Sequence, residues 1–582
     1  MKQRTPFWSI LLTIFCLSNL TYAAGSPQFK SFKFLKAHNS MLARDVNGTI
    51  TKDTIHVQFP FFADITHLKA SFETDAKKIA IAGRLQVSDK TANNFRHEMI
   101  YTLIDAQGTH KRYYVRVKNL NLGHPIVYIN TEDNRNIVSK DYYINAYMTI
   151  DGIGKYTSLP TTKVEVKGRG NSTWWMFPKK PYAVKMFKET KSEILDMPEH
   201  RKWVLLANWM DRTLLRNVAS YRISTIIGFE WVTRCRFVEV MLNGKHIGLY
   251  VMCEKVEVDE NRLDITELEK TDLSEPNIKG GYLLELDNNF DNVYKFKSKY
   301  RKLPVMVKTP DDDDLQTAQF NYIRDYFNDV EEMLHRGEYQ KAYQKMDVSS
   351  FADYYIAYEL AGNHEPTNPR SAYMHKDRYG KLKAGPVWDF DWGTYRFHSN
   401  RFINQKAIFY TYLFNDPHFI EVLKERWNAC REELLTVSDF IDEQREFIRD
   451  SEELNHELWP FPKKQTTNED EQLSFDEAVD KMIRAYEARY YLLDHHYGNP
   501  TALDDMEDEP KARVYARNGT IVVECSDEYL SLYSGTAQAA VYSMQGARLA
   551  SRELQDETTT IQMPAGTYLL VLNSISQIVI VP

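Results

Sequence analysis

The sequence predicts an α+β protein, in which β-rich segments surround one mainly helical region. Alternating apolar and polar residues, interrupted by Gly and Asp turns, recur from residue 29 to residue 309. Helical periodicity replaces this alternation after the acidic run at 311–314, and short alternating runs return from residue 513. A chain of 582 residues is too long for one hydrophobic core, so we expect several domains.

The composition indicates a packed globular protein and disfavours a nucleic-acid partner. Hydrophobic residues make up 43% of the chain and charged residues 26%, with a net charge of −7. The five cysteines are too scattered for a metal knot or a disulfide scaffold. Cys235 and Cys253 flank two strand-like runs; buried free thiols are favoured, and a pair between them is the alternative.

The first residues predict secretion. Residues 1–24 combine Lys2 and Arg4, an apolar run and a small-residue end, which is the layout of a signal peptide. We therefore expect a secreted protein, extracellular or on the outer-membrane surface, with no membrane span. Residues 25–120 then alternate short strands and turns, which predicts a small β-sandwich that resembles immunoglobulin-like modules of secreted Bacteroidetes proteins.

Residues 125–497 carry the candidate functional residues, beginning with a polar turn between two alternating runs. This turn offers the Arg169 guanidinium and backbone N–H groups to a phosphate, although such turns also simply close hairpins. The following run carries Lys180 and Lys185; either could point from the sheet toward the same phosphate, and the alternative is that both are solvated. The turn comprises Arg169, Gly170, Asn171 and Ser172.

Further candidates lie on the segments that follow. Apolar residues at helical spacing from Leu214 predict a helix with Asp211 as its N-cap, and Arg216 and Asn217 lie on it at the cleft or its rim. Asn243-Gly244 predicts a hairpin whose second strand ends in Glu254. Amphipathic helices follow, one of them capped by Ser349 or Ser350.

The stretch GPVWDFDW predicts a carboxylate pair. On a strand, Asp389 and Asp391 project to one side while Trp388 and its aromatic neighbours pack on the other. Two adjacent carboxylates favour a hard cation such as Mg²⁺, and the alternative is a structural role in turns or ion pairs. Beyond this region, residues 498–512 predict a linker, and residues 513–582 a β-sandwich similar to type IX sorting domains, with the secretion machinery as its partner.

Several ordered motifs together resemble the spore coat protein H (CotH) kinase family. They are KGRGNSTW, FPKKPYAVK, WVLLANWMDRTLLRN, GLYVMCEKVEV, GGYLLELD and GPVWDFDWG. The resemblance implies an atypical protein-kinase-like domain of two lobes with ATP and Mg²⁺ between them. It also implies a protein substrate that is phosphorylated on hydroxyl groups.

The resemblance assigns roles residue by residue. Residues 169–172 would cradle phosphate, Lys180 would pair with phosphate with Lys185 as second choice, and Arg216 and Glu254 would belong to the nucleotide site. Asp389 would hold Mg²⁺ with help from Asp391 and Asn368. Where the family commonly has an Asp as general base, this chain has Glu365, and one extra methylene shifts the carboxylate by about 1 Å.

Three functional hypotheses follow from the sequence. The leading one is a secreted atypical kinase that transfers the γ-phosphoryl group of ATP to Ser or Thr of a protein. The second is a surface adhesion or scaffold protein with a nucleotide-binding pseudokinase domain. A glycoside hydrolase using Glu365 and Asp389 is third, because the phosphate turn would then have no role.

Overall fold

A computed structural model describes most of the chain. It leaves out residues 1–25, 41, 43, 61–62, 64, 121, 397–400, 461–469, 471–472, 499–511, 518, 526–529, 531–536, 544–546, 555, 557, 573–574 and 582. The signal-peptide prediction and nearly all of the linker prediction therefore lie outside the described residues. The chain divides into two compact units, Met1–Gly498 and Asn499–Pro582.

The first module of the larger unit is an eight-stranded sheet with a separate strand pair. The sheet order is β5-β1-β2-β3-β10-β9-β6-β7, and β4 pairs with β8. Alternation buries Ile55, Val57 and Phe59 on one strand against a cluster of aromatic rings. The identification as immunoglobulin-like stays a prediction. The strands are β1 Phe29–Phe34, β2 Val46–Thr51, β3 Thr54–Pro60, β4 Leu68–Lys69, β5 Ser71–Thr74, β6 Lys78–Ile81, β7 Arg84–Leu85, β8 Ala92–Asn93, β9 Met99–Ile104 and β10 His110–Leu120.

A closed β-barrel follows. Its strand order is β11-β12-β13-β14-β17-β19-β18, and β11 closes it by pairing parallel to β18. Inward-facing Val, Ile, Met and Leu side chains fill the interior, since alternate residues of each strand point into the barrel. The strands are β11 Ile126–Thr131, β12 Ile144–Asp151, β13 Leu159–Gly168, β14 Tyr182–Met186, β15 Ser192–Ile194, β16 Met197–His200, β17 Lys202–Leu206, β18 Cys235–Leu242 and β19 Lys245–Glu254; β15 and β16 form a separate pair.

A five-stranded sheet and a group of helices complete the larger unit. The sheet order is β21-β22-β20-β23-β24. One hydrophobic core joins the outer barrel wall, the helices and this sheet. The strands are β20 Tyr282–Leu286, β21 Lys295–Lys297, β22 Pro304–Thr309, β23 Ala372–Lys376 and β24 Leu382–Ala384, and the helices are α1 Ser172–Met176, α2 Arg216–Ile227, α3 Thr317–His335, α4 Tyr339–Lys345, α5 Val348–Leu360, α6 Tyr410–Leu413, α7 Pro417–Leu434, α8 Val437–Leu458 and α9 Phe475–Tyr497.

The smaller unit contains a three-stranded and a four-stranded antiparallel sheet around one core. Its strands are β25 Ala512–Arg517, β26 Thr520–Cys525, β27 Gln538–Ser543, β28 Arg548–Glu553, β29 Thr558–Gln562, β30 Gly566–Leu572 and β31 Ile575–Val581. The mixed α and β content agrees with the predicted class. The two-lobe kinase arrangement and the sorting role stay predictions.

Three local predictions were wrong. The carboxylate pair is not on a strand, because β24 ends at Ala384 and Asp389 has a left-handed φ of 68°. Helix α2 begins only at Arg216, since Leu214 has a φ of 61°. Helix α5 is capped by Asp347, whose carboxylate accepts the backbone N–H groups of Ser349 and Ser350. The two serines therefore contribute donors to the cap.

The length and polarity of the helices test the prediction that the chain has no membrane span. Within the described parts of the chain, none of the helices is both long and apolar enough to cross a membrane.

Candidate active site

A cavity of about 580 Å³ lies between the barrel, α2 and the five-stranded sheet. The turn after β13 forms one side of it, and residues of β20, β22 and the loop before β23 form another. The segment after β24 contributes the floor. Its polar lining includes Arg169, Asn171, Asp287, Lys308, Glu365, Arg370, Asp389 and Asp391.

The turn after β13 is held in one conformation by local contacts. Gly170 has a φ of 82°, and a Cβ at this position would lie 2.1 Å from Thr173 Oγ1. The Arg169 backbone N–H donates to Pro181 O at 3.2 Å, and its guanidinium lies over the Trp388 ring at 5.6 Å. The turn therefore presents a fixed cation to the cavity beside the segment that carries the aspartates.

Asp389 and Asp391 lie on an irregular segment anchored from α2. Asn217 Oδ1 accepts the backbone N–H of Phe390 at 2.8 Å, which fixes the residue between the two aspartates. Ser371 Oγ donates to Asp389 Oδ2 at 3.3 Å. Enclosure by protein and then the charge of Asp389 raise the pKa of Asp391 to about 8. The pKa of Asp389 is raised by burial, and Arg169 opposes that rise.

Glu365 adds a third carboxylate to the same cavity. It begins a short 3₁₀ turn, and its backbone N–H donates to Asn363 Oδ1 at 2.8 Å. Burial, followed by the charges of Asp389 and Asp391, raises its pKa to about 9. Its Oε2 atom is buried without a hydrogen-bond partner among the described residues. The positive charge around the three carboxyl groups is therefore too small for all three to be ionised together.

An ion pair and a well-bonded aspartate line the sheet side of the cavity. Lys308 Nζ lies 3.3 Å from Glu285 Oε2, and Glu285 Oε1 accepts the Tyr373 hydroxyl at 3.0 Å. Asp287 accepts the backbone N–H groups of Asn289 at 2.7 Å and Ser371 at 3.0 Å. Asp287 therefore connects the end of β20 to the loop before β23, which also carries Arg370 and Glu365.

Comparison with known proteins assigns the family. A family model described as "CotH kinase protein" matches residues 166–492, which is more than half of the chain. The chain belongs to the CotH kinase family. No curated protein matches it.

Among solved structures, the chain is similar to one from Bacteroides thetaiotaomicron described as a "putative glycoside hydrolase". The two share 15% identity over 38% of this chain and 53% of that chain, with a TM-score of 0.14. The match therefore spans about half of that structure, and a superposition this poor does not establish a common fold.

Membership in the CotH kinase family suggests a protein-kinase-like function. The structure brings the predicted turn residues, the two aspartates and Glu365 to one cavity. The turn comprises Arg169, Gly170, Asn171 and Ser172, all of which line it.

The two predicted phosphate-pairing lysines do not line this cavity. Lys180 Nζ donates to Trp174 O at 2.6 Å. Lys185 lies on the outer face of β14 and pairs with Glu165 at 3.4 Å. Among the described residues, the lysines that line the cavity are Lys308 and Lys179. Lys179 is fully buried and donates to Asn455 Oδ1 at 2.8 Å.

Three other predicted site residues have structural partners away from the lining. Arg216 forms buried ion pairs with Asp211, at 3.3 Å, and with Asp470. Glu254 is buried and accepts from Arg234 Nε at 3.0 Å. The side chain of Asn368, predicted as a metal ligand, accepts from Asn288 at 2.8 Å. In each case a local hydrogen-bond or charge partner holds the side chain, and none of the three lines the cavity.

Sequence reasoning left Lys308 and Asp287 out of the site, and it placed Asn217 with Arg216 at the cleft or its rim. The alternation in GGYLLELDN places Glu285 and Asp287 on one face of a strand, and this was the available signal. Lys308 reaches the same face only because β22 pairs with β20. No sequence signal shows that Asn217 supports Phe390, because the two residues are far apart in the chain.

The donor set fits a hard divalent cation. Among the described residues, no group of three or more His, Cys, Asp or Glu side chains is placed to hold a metal ion. Mg²⁺ at kinase sites typically uses one or two protein carboxylates and completes its shell with phosphate and water oxygens. Asp389 and Asp391 meet that requirement. Burial raises the pKa of both carboxyl groups, so a bound cation would favour their ionised forms.

Proposed function

We propose that this protein is a secreted, Mg²⁺-dependent kinase that transfers the γ-phosphoryl group of ATP to a Ser or Thr hydroxyl of an extracellular or surface protein. Under this proposal the terminal β-module contacts the secretion machinery. One observation carries the kinase part: the Arg169 turn and the Asp389–Asp391 segment line one cavity. Phosphoryl transfer needs a phosphate cradle, a cation site and a group that orients the acceptor.

The chain's residues divide these tasks. Arg169 and the turn's backbone N–H groups bind phosphate oxygens, and Lys308, held by Glu285, supplies the lysine contact in place of Lys180. Asp389 and Asp391 would hold Mg²⁺, which supplies neutralisation of the charge that develops on the transferred group. Asn217 keeps the two aspartates in register by holding Phe390.

Glu365 orients the acceptor hydroxyl and accepts its proton. It is ready for this role only when ionised. Burial and the nearby Asp389 and Asp391 raise its pKa to about 9, which keeps it protonated at neutral pH. Because the charges of Asp389 and Asp391 contribute to that rise, Glu365 loses its proton more readily when their charge is neutralised.

Thermal denaturation with ATP and Mg²⁺ tests the nucleotide site. We expect the midpoint to rise by several degrees at saturating ligand, because a ligand at 100 times its Kd stabilises the folded state by about 2.7 kcal/mol. Asp389→Asn is expected to abolish the shift. Asp313→Asn, on the exposed surface, is the control and retains it. An unchanged midpoint in the unsubstituted protein contradicts the proposal.

A second candidate is a nucleotide-binding pseudokinase scaffold, which the presence of Glu at position 365 favours. Transfer of radiolabelled phosphate to protein separates the two. For a kinase, Glu365→Gln lowers the transfer rate by about 10²–10⁴-fold while the ATP-dependent thermal shift remains. Binding without any transfer in the unsubstituted protein supports the scaffold.

A further inference from the structure

Cys235 and Cys253 face each other in the barrel wall. Cys235 is the first residue of β18, and its register partner on antiparallel β19 is Cys253. Cys253 belongs to the hydrophobic core between the barrel and α2, and Cys235 packs against that core. The two side chains therefore extend from the same face of the sheet.

The register places them at a position that suits a cross-strand bond. In the adjacent pair, the backbone N–H of Glu254 donates to Arg234 O at 3.1 Å, so positions 234 and 254 form a hydrogen-bonded pair. Hydrogen-bonded and non-hydrogen-bonded pairs alternate along antiparallel strands, and Cys235 with Cys253 is thus a non-hydrogen-bonded pair. Such pairs have Cα atoms about 4.5 Å apart, within the range of disulfides.

The cysteines also lie close to the candidate active site. Both thiols are near Tyr221, which lines the cavity and whose ring centroid is 6.3 Å from that of Trp388. The Tyr221 hydroxyl is buried without a hydrogen-bond partner among the described residues. A link between the cysteines would therefore lie near Tyr221, a residue of the cavity lining.

We infer that Cys235 and Cys253 form a cross-strand disulfide when the chain folds in the presence of a low-molecular-weight disulfide such as oxidised glutathione. The thiolate of Cys235 attacks one sulfur of the oxidant and releases one thiol. The thiolate of Cys253 then attacks the Cys235 sulfur of the mixed disulfide, forms the Cys235–Cys253 bond and releases the second thiol. The oxidant gains the two electrons and the two thiol protons that the cysteines lose.

Formation belongs to folding, before the core closes. Cys253 is fully buried and Cys235 half-buried in the folded chain, so a dissolved oxidant has little access to them. Burial also raises the pKa of both thiols, which slows thiolate attack after folding. The inference does not depend on kinase activity.

Peptide mapping tests the bond. The full chain is refolded from the reduced state with a mixture of reduced and oxidised glutathione, and free thiols are then alkylated in denaturant. Cleavage after glutamates puts the cysteines in residues 231–239 and 240–254. We expect these two fragments to be joined and Cys430 and Cys525 to be alkylated. Alkylation of both Cys235 and Cys253 overturns the inference.

Thermal denaturation with and without a phosphine reductant gives a second test. The reductant should lower the midpoint of the oxidised protein by on the order of 3 °C, since the link restricts the unfolded chain. It should leave the Cys235→Ser midpoint unchanged, and Cys430→Ser should behave like the unsubstituted protein. An equal response of the unsubstituted and Cys235→Ser proteins overturns the inference.

Discussion

At the scale of single residues, the candidate site depends on side chains that neutralise or support the carboxylates. Arg169 and Arg370 are the cations that oppose the raised pKa values of Asp389 and Glu365. Lys180 and Lys185 do not contribute, because their ammonium groups are engaged by Trp174 O and Glu165. Three of the predicted acids, Glu365, Asp389 and Asp391, line the cavity, whereas Glu254 does not. Which cations face these acids depends on the side of the strand that each lysine occupies.

Asn217 gives a residue-scale prediction. Its side chain is buried, and it bonds both Phe390 N–H at 2.8 Å and Asn208 Oδ1 at 3.2 Å. We expect Asn217→Ala to lower the free energy of unfolding by on the order of 2 kcal/mol, because it leaves buried polar groups without partners. Urea denaturation measures the change.

The control for Asn217 is Asn415→Ala. Asn415 is exposed, and its side chain makes a local hydrogen bond to Thr411 O at 3.0 Å. Its substitution should cost less than about 0.5 kcal/mol, as expected for a surface position. Equal losses of unfolding free energy for the two substitutions would show that the hydrogen bond to Phe390 stabilises the protein no more than a surface hydrogen bond does.

At the scale of elements, the segment after β24 shows why local pattern alone was insufficient. Trp388, Asp389, Phe390 and Asp391 alternate as a strand would, yet Pro386 lacks an N–H for a sheet and Asp389 adopts a left-handed backbone. The backbone of Phe390 finds its partner on α2 instead of on a neighbouring strand. Alternation of apolar and polar residues predicts which face a side chain occupies only where the backbone is extended.

The N-terminus of α5 gives an element-scale prediction. Asp347 Oδ1 accepts Ser349 N–H at 3.1 Å and Ser350 N–H at 3.3 Å. We expect Asp347→Ala to lower the free energy of unfolding by about 1 kcal/mol, because two donors of the first turn lose their acceptor. Ser349→Ala is the control. It should lower the free energy of unfolding by only about 0.3 kcal/mol, because only the backbone N–H of Ser349 bonds to Asp347. A larger loss in Ser349→Ala contradicts this account.

At the scale of the whole molecule, the barrel, α2 and the five-stranded sheet share one core. That core brings the turn at residues 169–172 within the same cavity as a segment more than 200 residues later in the chain. Family membership covers both segments. The cavity is consequently a property of the assembled unit and of no single motif.

The charge cluster around Glu257 predicts acid sensitivity of this unit. Burial opposes its ionisation, but Lys255 and Lys202 together lower its pKa from 4.5 to about 2. Its folded pKa lies below the unfolded value, so its contribution is present above about pH 4.5 and is lost as the pH falls toward 2. At pH 7 that contribution is at most about 3 kcal/mol.

Urea denaturation of Glu257→Gln checks this. The difference in unfolding free energy from the unsubstituted protein should be largest at neutral pH and should shrink between pH 4.5 and pH 2.5. Glu267→Gln, at an exposed position, is the control. A difference that stays constant over this range rules out the linkage to Glu257.

The sequence by itself determined the mixed class, many of the strands and helices, the CotH resemblance and three acids of the cavity lining, Glu365, Asp389 and Asp391. These follow from periodicity, turn residues and ordered motifs, all of which act over short stretches of chain. Only the tertiary structure decided that Lys308 replaces Lys180 in the cavity and that Asn217 supports the aspartates. Those choices depend on strand pairing and core packing between distant segments, whose free energy no local pattern records.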